Sequence, residues 1–183
     1  MNTLLARLAA PAAFLVAAPV AAQTAPSDSV YVGFPSDSVY VGTTAPAVAE
    51  TPAEAAARFL AEVAARPGVE SSRSGLLWTV TQTGSGQRPT RGDDVFIRYV
   101  ARLADGTEFD RSPRLDPVRI PVRAVVAGFG EALQAMRPGE TRTVWIPPAL
   151  GYGTAGVEAP DGRVVIPPDA VLVFDITLVR VSP

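Results

Sequence analysis

Thr143-Val144-Trp145-Ile146-Pro147-Pro148-Ala149-Leu150-Gly151-Tyr152-Gly153, followed after a polar loop by Val165-Ile166-Pro167-Pro168-Asp169-Ala170-Val171-Leu172-Val173-Phe174-Asp175-Ile176-Thr177-Leu178-Val179, decides the fold. One β-rich run ends at Ile146 and another opens at Val171. The Gly/Pro segment between them suits neither a helix interior nor a central strand, because proline has no N–H to donate and glycine has no preferred φ. Tyr152 stands between two glycines there, which fits a loop that presents a side chain.

Upstream, Gly128 to Met136 reads as a two-turn helix stopped by Pro138-Gly139, with Phe129, Leu133 and Met136 on one face at spacings of four and three. Val95 to Leu103 alternates. Val95, Ile97, Tyr99, Ala101 and Leu103 take one side and Arg98 and Arg102 the other, the pattern of a half-buried antiparallel strand. Asp105-Gly106 is a strong hairpin signal, so Glu108-Phe109-Asp110 begins a return strand. Leu76 to Thr83 and Val118 to Val122 are further strands, and Pro113 to Pro117 is an irregular excursion. Strands on both sides of one helix indicate an α+β fold: an antiparallel, twisted sheet of five to six strands wrapped around one short helix.

Composition narrows the chemistry. The chain has 183 residues, no histidine, no cysteine, and only arginine among its 16 basic residues. Ser-His-Asp triads, cysteine nucleophiles, Schiff-base lysines and His/Cys zinc sites are thereby excluded. Carboxylate chemistry stays open, but no acid cluster has calcium-loop spacing, and no metal site is expected. A reaction that needs neither cofactor nor protonatable catalyst is favoured. The net charge of -2 and the absence of a basic tract argue against nucleic acid as a partner.

Residues 1–22 read as a secretory signal: Arg7, then the apolar run Leu8 to Val20, then small residues at Val20-Ala21-Ala22. The alternatives are a buried helix or a membrane anchor. The run is shorter than the ~20 residues that span a bilayer, and Pro11 and Pro19 interrupt it. The expected product is exported, soluble, and periplasmic or secreted. Within residues 23–50, Ser27-Asp28-Ser29-Val30-Tyr31-Val32-Gly33 recurs as Ser36-Asp37-Ser38-Val39-Tyr40-Val41-Gly42. The Ser/Pro/Ala/Gly-rich setting reads as a disordered linker, the alternative being a β segment that pairs with another chain.

Residues 51–67 form a short amphipathic helix, with Thr51 at the N-cap, Pro52 at N1 and Glu54 at N3. Ala56, Phe59, Leu60 and Val63 make its apolar stripe, and Pro67-Gly68 ends it. So short a helix needs a surface to pack on, either its own domain or a second copy in a weak homodimer.

From Gly75 to Val181 the chain resembles FKBP-type peptidyl-prolyl cis-trans isomerases. The resemblance rests on Tyr99, Leu103 to Asp110, Val125-Val126-Ala127-Gly128-Phe129, Pro147 to Gly153, Ile166-Pro167-Pro168 and Leu172-Val173-Phe174-Asp175, in that order. The stretch from Arg58 to Leu76 is similar to the entry of periplasmic members related to the macrophage infectivity potentiator. The resemblance implies an isomerase domain over residues 75–183 that acts on proline-containing unfolded polypeptides and accepts a macrolide as pocket ligand. Carried over residue by residue, Asp110, Tyr152 and Ile166 are the catalytic set, with the Tyr152 hydroxyl and the Ile166 N–H as donors to substrate carbonyls. Tyr99, Phe109, Arg114, Val125, Val126, Phe129 and Phe174 are the substrate-binding set, with Arg114 paired to Asp110 at the rim. Phe129 stands where many members place tryptophan, Val118 replaces a common aromatic, and the loop 154–164 is longer than usual.

Two other readings remain. An isomerase-like domain without catalysis would serve as a binding or chaperone module. A carbohydrate-binding β domain would need a surface aromatic platform, whereas Trp78 and Trp145 fall on expected strands.

Overall fold

The computed structural model describes residues 50–182, and the expected signal, the duplicated segment and nearly all of the expected linker lie outside them. Thr51 closes a capping box with Glu54, and Pro52 opens α1 (Pro52–Ala64). Next come β1 (Glu70–Ser71), β2 (Leu77–Gln82), β3 (Asp94–Leu103), β4 (Glu108–Arg111) and β5 (Val118–Pro121). A 3-10 turn at Val122–Ala124 leads into α2 (Ala127–Ala135). Then follow β6 (Thr141–Ile146), a second 3-10 turn at Pro148–Leu150, β7 (Val157–Glu158), β8 (Val164–Ile166) and β9 (Leu172–Ser182). Among the described residues no helix is long and apolar enough to cross a membrane.

The sheet runs β1-β2-β6-β9-β3-β4, with β5 also on β3, and every pairing is antiparallel. It has seven strands in six positions, because β4 pairs with Val100–Arg102 while β5 pairs with Asp94–Ile97. The two lie end to end along one edge of β3, and the excursion at 112–117 crosses between them. Residue 122, expected in the strand before the helix, belongs instead to the 3-10 turn.

The alternation read along β3 is the burial observed: Val95, Ile97, Tyr99 and Ala101 are buried, whereas Arg98 is exposed. These side chains meet Phe129, Leu133 and Met136 of α2 in the main core, on the concave side of the sheet. A second cluster occupies the opposite face. Ala56 and Val63 of α1 pack with Leu77, Trp145 and Val171, and Phe59 and Leu60 join at its margin. The apolar stripe of α1 therefore covers the back of its own sheet, and Trp145 lies beneath it. An aromatic platform for sugars is not built from that tryptophan.

The segment at 154–164 is more ordered than a plain loop. β7 and β8 form a separate two-stranded hairpin in which Val157 opposes Ile166. Its turn holds Pro160-Asp161-Gly162, with Gly162 at φ 80° and the Ala159 N–H donating to the Arg163 carbonyl.

Candidate active site

Three strands and one helix bring aromatic rings together on the concave side. Phe174 of β9 faces Ala101 of β3 in register, and that small partner leaves room for the ring. Phe129, the third residue of α2, lies 4.7 Å away centroid to centroid and is fully buried. Phe109 stands edge-on to Phe174 at 6.0 Å, and Tyr99 lies 6.3 Å from both Phe174 and Phe129. The centroid spacings fall in the range of about 4.5–7 Å favoured by aromatic pairs, and none is a face-to-face sandwich.

A β-bulge aims the β4 side chains. Asp110 opposes Ala101 and Glu108 opposes Arg102, which leaves Phe109 as the extra residue. A bulge re-aims side chains and bends its strand. Here Phe109 reaches the Phe174 ring and the next residue, Asp110, accepts a hydrogen bond from the Tyr99 hydroxyl on Oδ2 at 2.7 Å. The Arg111 N–H donates to Oδ1 of the same carboxylate at 2.9 Å. Ser112 then locks the end of β4 to β3. Its N–H donates to the Tyr99 carbonyl, and its Oγ accepts from the Tyr99 N–H, each at 3.0 Å. Ser112 is buried and was not anticipated as part of the site, since nothing in Arg111-Ser112-Pro113 announces the contact.

Tyr152 arrives on a tight loop. Leu150 and Gly151 close the 3-10 turn, and the N–H groups of Gly151 and Gly153 both donate to the Pro148 carbonyl. The Asp169 N–H donates to the Gly153 carbonyl at 2.9 Å, tying this loop to the Ile166-Pro167-Pro168 step. Burial raises the Tyr152 phenol above its usual pKa, and the negative charge of Asp110 pushes the same way. Tyr99 is raised further, first by burial and then by its hydrogen bond to Asp110. Both hydroxyls are therefore protonated donors throughout the neutral range.

Glycines set the close approaches. A Cβ on Gly128 would lie 2.6 Å from Ile146 Cγ2, so the start of α2 can sit against β6 only without a side chain there. A Cβ on Gly156 would overlap the Ile166 carbonyl oxygen and lie 2.9 Å from the Pro167 carbonyl carbon. That contact brings the residue before β7 against the backbone at the end of β8, where the Ile166 side chain is buried.

Tyr99, Phe129, Ile166 and Phe174 share the main core cluster, and Phe109, Val125, Val126 and Tyr152 pack on it half-buried, as does Val118. Arg114 is exposed and lines a groove with Arg98, Tyr99 and Arg111. Among the described residues, no three acidic side chains converge as a metal would need. The arrangement is an apolar aromatic cup with one carboxylate and two phenolic donors.

The profile of the family described as FKBP-type peptidyl-prolyl cis-trans isomerase matches residues 85–179. The chain is 40% identical over 131 residues to the peptidyl-prolyl cis-trans isomerase Mip of Coxiella burnetii, covering 71% of this chain and 55% of that protein. It is 38% identical over 117 residues to FkpA of Escherichia coli, covering 63% and 41% respectively. The chain thus spans about half the length of the curated relatives it matches. Among solved structures, a peptidyl-prolyl cis-trans isomerase from Pseudomonas syringae superposes with a TM-score of 0.65 at 36% identity, covering 72% of this chain and 94% of that one. FkpA from Escherichia coli superposes at 0.63 and 35% identity, covering 70% and 58%. Sequence match, shared fold and an aromatic cup assembled from the expected positions agree: the chain belongs to the FKBP-type peptidyl-prolyl cis-trans isomerase family.

Proposed function

We propose that this chain is a cofactor-independent peptidyl-prolyl cis-trans isomerase acting on proline-containing, unfolded or partly folded segments of exported polypeptides. The observation that carries this reading is the buried triad of Tyr99, Phe129 and Phe174 beside the Tyr99–Asp110 hydrogen bond.

The X-Pro amide resists rotation by ~18–20 kcal/mol because twisting breaks its resonance. A twisted amide has a smaller dipole than the planar one. An apolar surround therefore disfavours the planar ground state relative to the twisted form, and only such a difference accelerates the step. The prolyl ring would rest on Phe129 and Phe174, with Val125, Val126 and Phe109 as walls. Asp110, held by Tyr99 and by the Arg111 N–H, would face the rotating amide with fixed geometry. The Tyr152 hydroxyl and the Ile166 N–H would hold the carbonyls on either side of it. No bond is made or broken, so no nucleophile or proton relay is required. Arg114, which lines a groove with Tyr99 and Ser112, would stand at the rim beside Asp110.

A macrolide would compete for the same cup. A homodimer through residues 51–67 would have to use the outward face of α1, since its stripe is covered. Export to the periplasm or beyond rests on the sequence of residues 1–22 and on a resemblance that extends to the outer membrane protein MIP of Legionella longbeachae, at 36% identity.

The test is cis-to-trans conversion of an Ala-Leu-Pro-Phe peptide by the full chain, with Tyr152→Phe and Asp110→Asn alongside. Turnover that a macrolide blocks and both variants weaken supports the enzyme. A folded chain that binds the macrolide without turnover makes it a binding module instead.

A further inference from the structure

Where β4 ends against β3, a groove of about 330 Å3 is lined by three exposed arginines: Arg98 of β3, Arg111 at the end of β4, and Arg114 on the excursion that follows. Its size falls within the range of about 300–1,000 Å3 that ligand pockets occupy. Tyr99 and Ser112, whose mutual hydrogen bonds lock β4 to β3, line it as well. The groove and the aromatic cup therefore share Tyr99, whose ring packs with Phe129 and Phe174 and whose hydroxyl holds Asp110.

The charge of this lining is one-sided. Its one carboxylate, Asp175, is already engaged: Arg102 Nη1 lies 2.5 Å from Oδ2, and the Thr143 hydroxyl donates to Oδ1 at 2.7 Å. Arg102 thus compensates Asp175 from outside the lining. Glu108 pairs with Arg111 and offsets one of the three arginines. Arg98 gives one N–H to the Leu115 carbonyl at 3.3 Å and keeps the rest of its fork of donors. The balance left in the groove is positive, in a chain whose net charge is -2. A guanidinium matches a carboxylate in geometry as well as in charge, since two parallel N–H groups can meet its two oxygens.

We infer that this groove is an acidic-residue subsite, taking Asp or Glu side chains that flank the proline of the client while the prolyl ring occupies the cup. This role rests on the isomerase reading and gives it a substrate class: proline segments with acidic flanks. Tyr99 borders both places, and an extended chain advances about 3.3 Å per residue, so residues a few positions from the proline reach the arginines. A concave groove beside the cup suits a side chain better than a flat anionic surface.

The experiment follows isomerisation of two decapeptides by the full chain, each with Leu-Pro at its centre and either glutamates or glutamines on both flanks. The ratio of their kcat/KM values is the readout, so every protein carries its own reference. The wild type should favour the glutamate peptide about fivefold, through KM, as one or two exposed ion pairs would give. The net negative charge of the chain works against such a preference, so bulk attraction does not produce it. Arg98→Gln should cut the ratio to about twofold, Arg98→Glu should bring it below one, and high salt should erase it in the wild type. Arg73→Glu makes the same charge change between β1 and β2, at the opposite edge of the sheet, and should keep the wild-type ratio. A ratio of one in the wild type, or equal losses in Arg98→Glu and Arg73→Glu, overturns the proposal. So does an Arg98→Gln protein that slows both peptides alike, because the arginine would then only hold the excursion through the Leu115 carbonyl. If the wild type turns over neither peptide, the isomerase reading fails on its own, and anisotropy of the labelled glutamate peptide judges the groove. Binding lost on Arg98→Glu and kept on Arg73→Glu supports the subsite, and unchanged binding overturns it. Cosedimentation with phosphatidylglycerol vesicles that Arg98→Glu abolishes, beside a peptide ratio of one, would assign the groove to a membrane surface and also overturn it.

Discussion

Replacing Tyr99 with phenylalanine removes one oxygen from the centre of the site and tests how Asp110 is held. The hydroxyl donates to Asp110 Oδ2 at 2.7 Å, and the ring is 2% exposed, so phenylalanine fills the same space. A hydrogen bond to a charged acceptor is worth roughly 1.5–3 kcal/mol. Asp110 is half-buried and water can replace part of the loss, so the lower end, about 1.5 kcal/mol, applies. A single domain of this size should then melt about 5 °C lower. The carboxylate keeps its bond from the Arg111 N–H but can now swing about it. If its orientation contributes about 1–1.4 kcal/mol to the barrier, kcat/KM falls fivefold to tenfold. The assay is cis-to-trans conversion of the Leu-Pro tetrapeptide, run on Tyr99→Phe, Asp110→Asn and the double variant. The double variant should be no slower than Asp110→Asn alone, because both act on one pair. Fully additive losses would refute the reasoning, since the hydroxyl would then be acting on something other than Asp110.

Alkaline pH should destabilise the fold through its phenols. Tyr99 and Tyr152 are both raised in the folded state, so the unfolded chain ionises first, near a pKa of about 10, and stability falls as pH rises beyond that point. Melting curves between neutral pH and strong alkali should show that fall flattened in Tyr99→Phe. Glu140→Ala should cost about 3–5 kcal/mol in chemical denaturation, since it strands the buried Arg142 whose guanidinium also donates to the Ala135 carbonyl at the end of α2. Gly156→Ala, whose Cβ would overlap the Ile166 carbonyl oxygen, should push the start of β7 away from the end of β8, seen as altered amide resonances over 154–168 and a raised KM. Thr51→Ala removes the α1 cap and should lower stability by about 1 kcal/mol in the same denaturant assay, with peptide turnover unchanged.

What the sequence made legible was whatever repeats on a short period. The period of two along Val95 to Leu103 and the stripe of Phe129, Leu133 and Met136 both became core. The members of the cup were named through the family resemblance, and of them Tyr99, Phe129 and Phe174 also lie inward on such elements. Contacts that depend on register were not legible. The bulge at Phe109 follows from the pairing of β4 with β3, not from any residue type in Glu108-Phe109-Asp110. Ser112 and Arg114 stand on an irregular excursion, where neither side chain's direction follows from spacing. The β7–β8 hairpin had a usable signal in Pro160-Asp161-Gly162 between Val157 and Val164-Val165-Ile166, but a two-residue strand is too short to show alternation. β1, with two exposed polar residues, had none.

The end-to-end placement of β4 and β5 has a consequence for how the sheet meets other extended chains. A long bare edge of sheet is a template on which other extended chains can build. Here that edge is broken into two four-residue pieces that carry Arg111 and Arg119, and the opposite edge is the two-residue β1. Neither edge offers more than a few consecutive residues of open backbone, so an extended chain that meets the sheet finds no long template on which to aggregate.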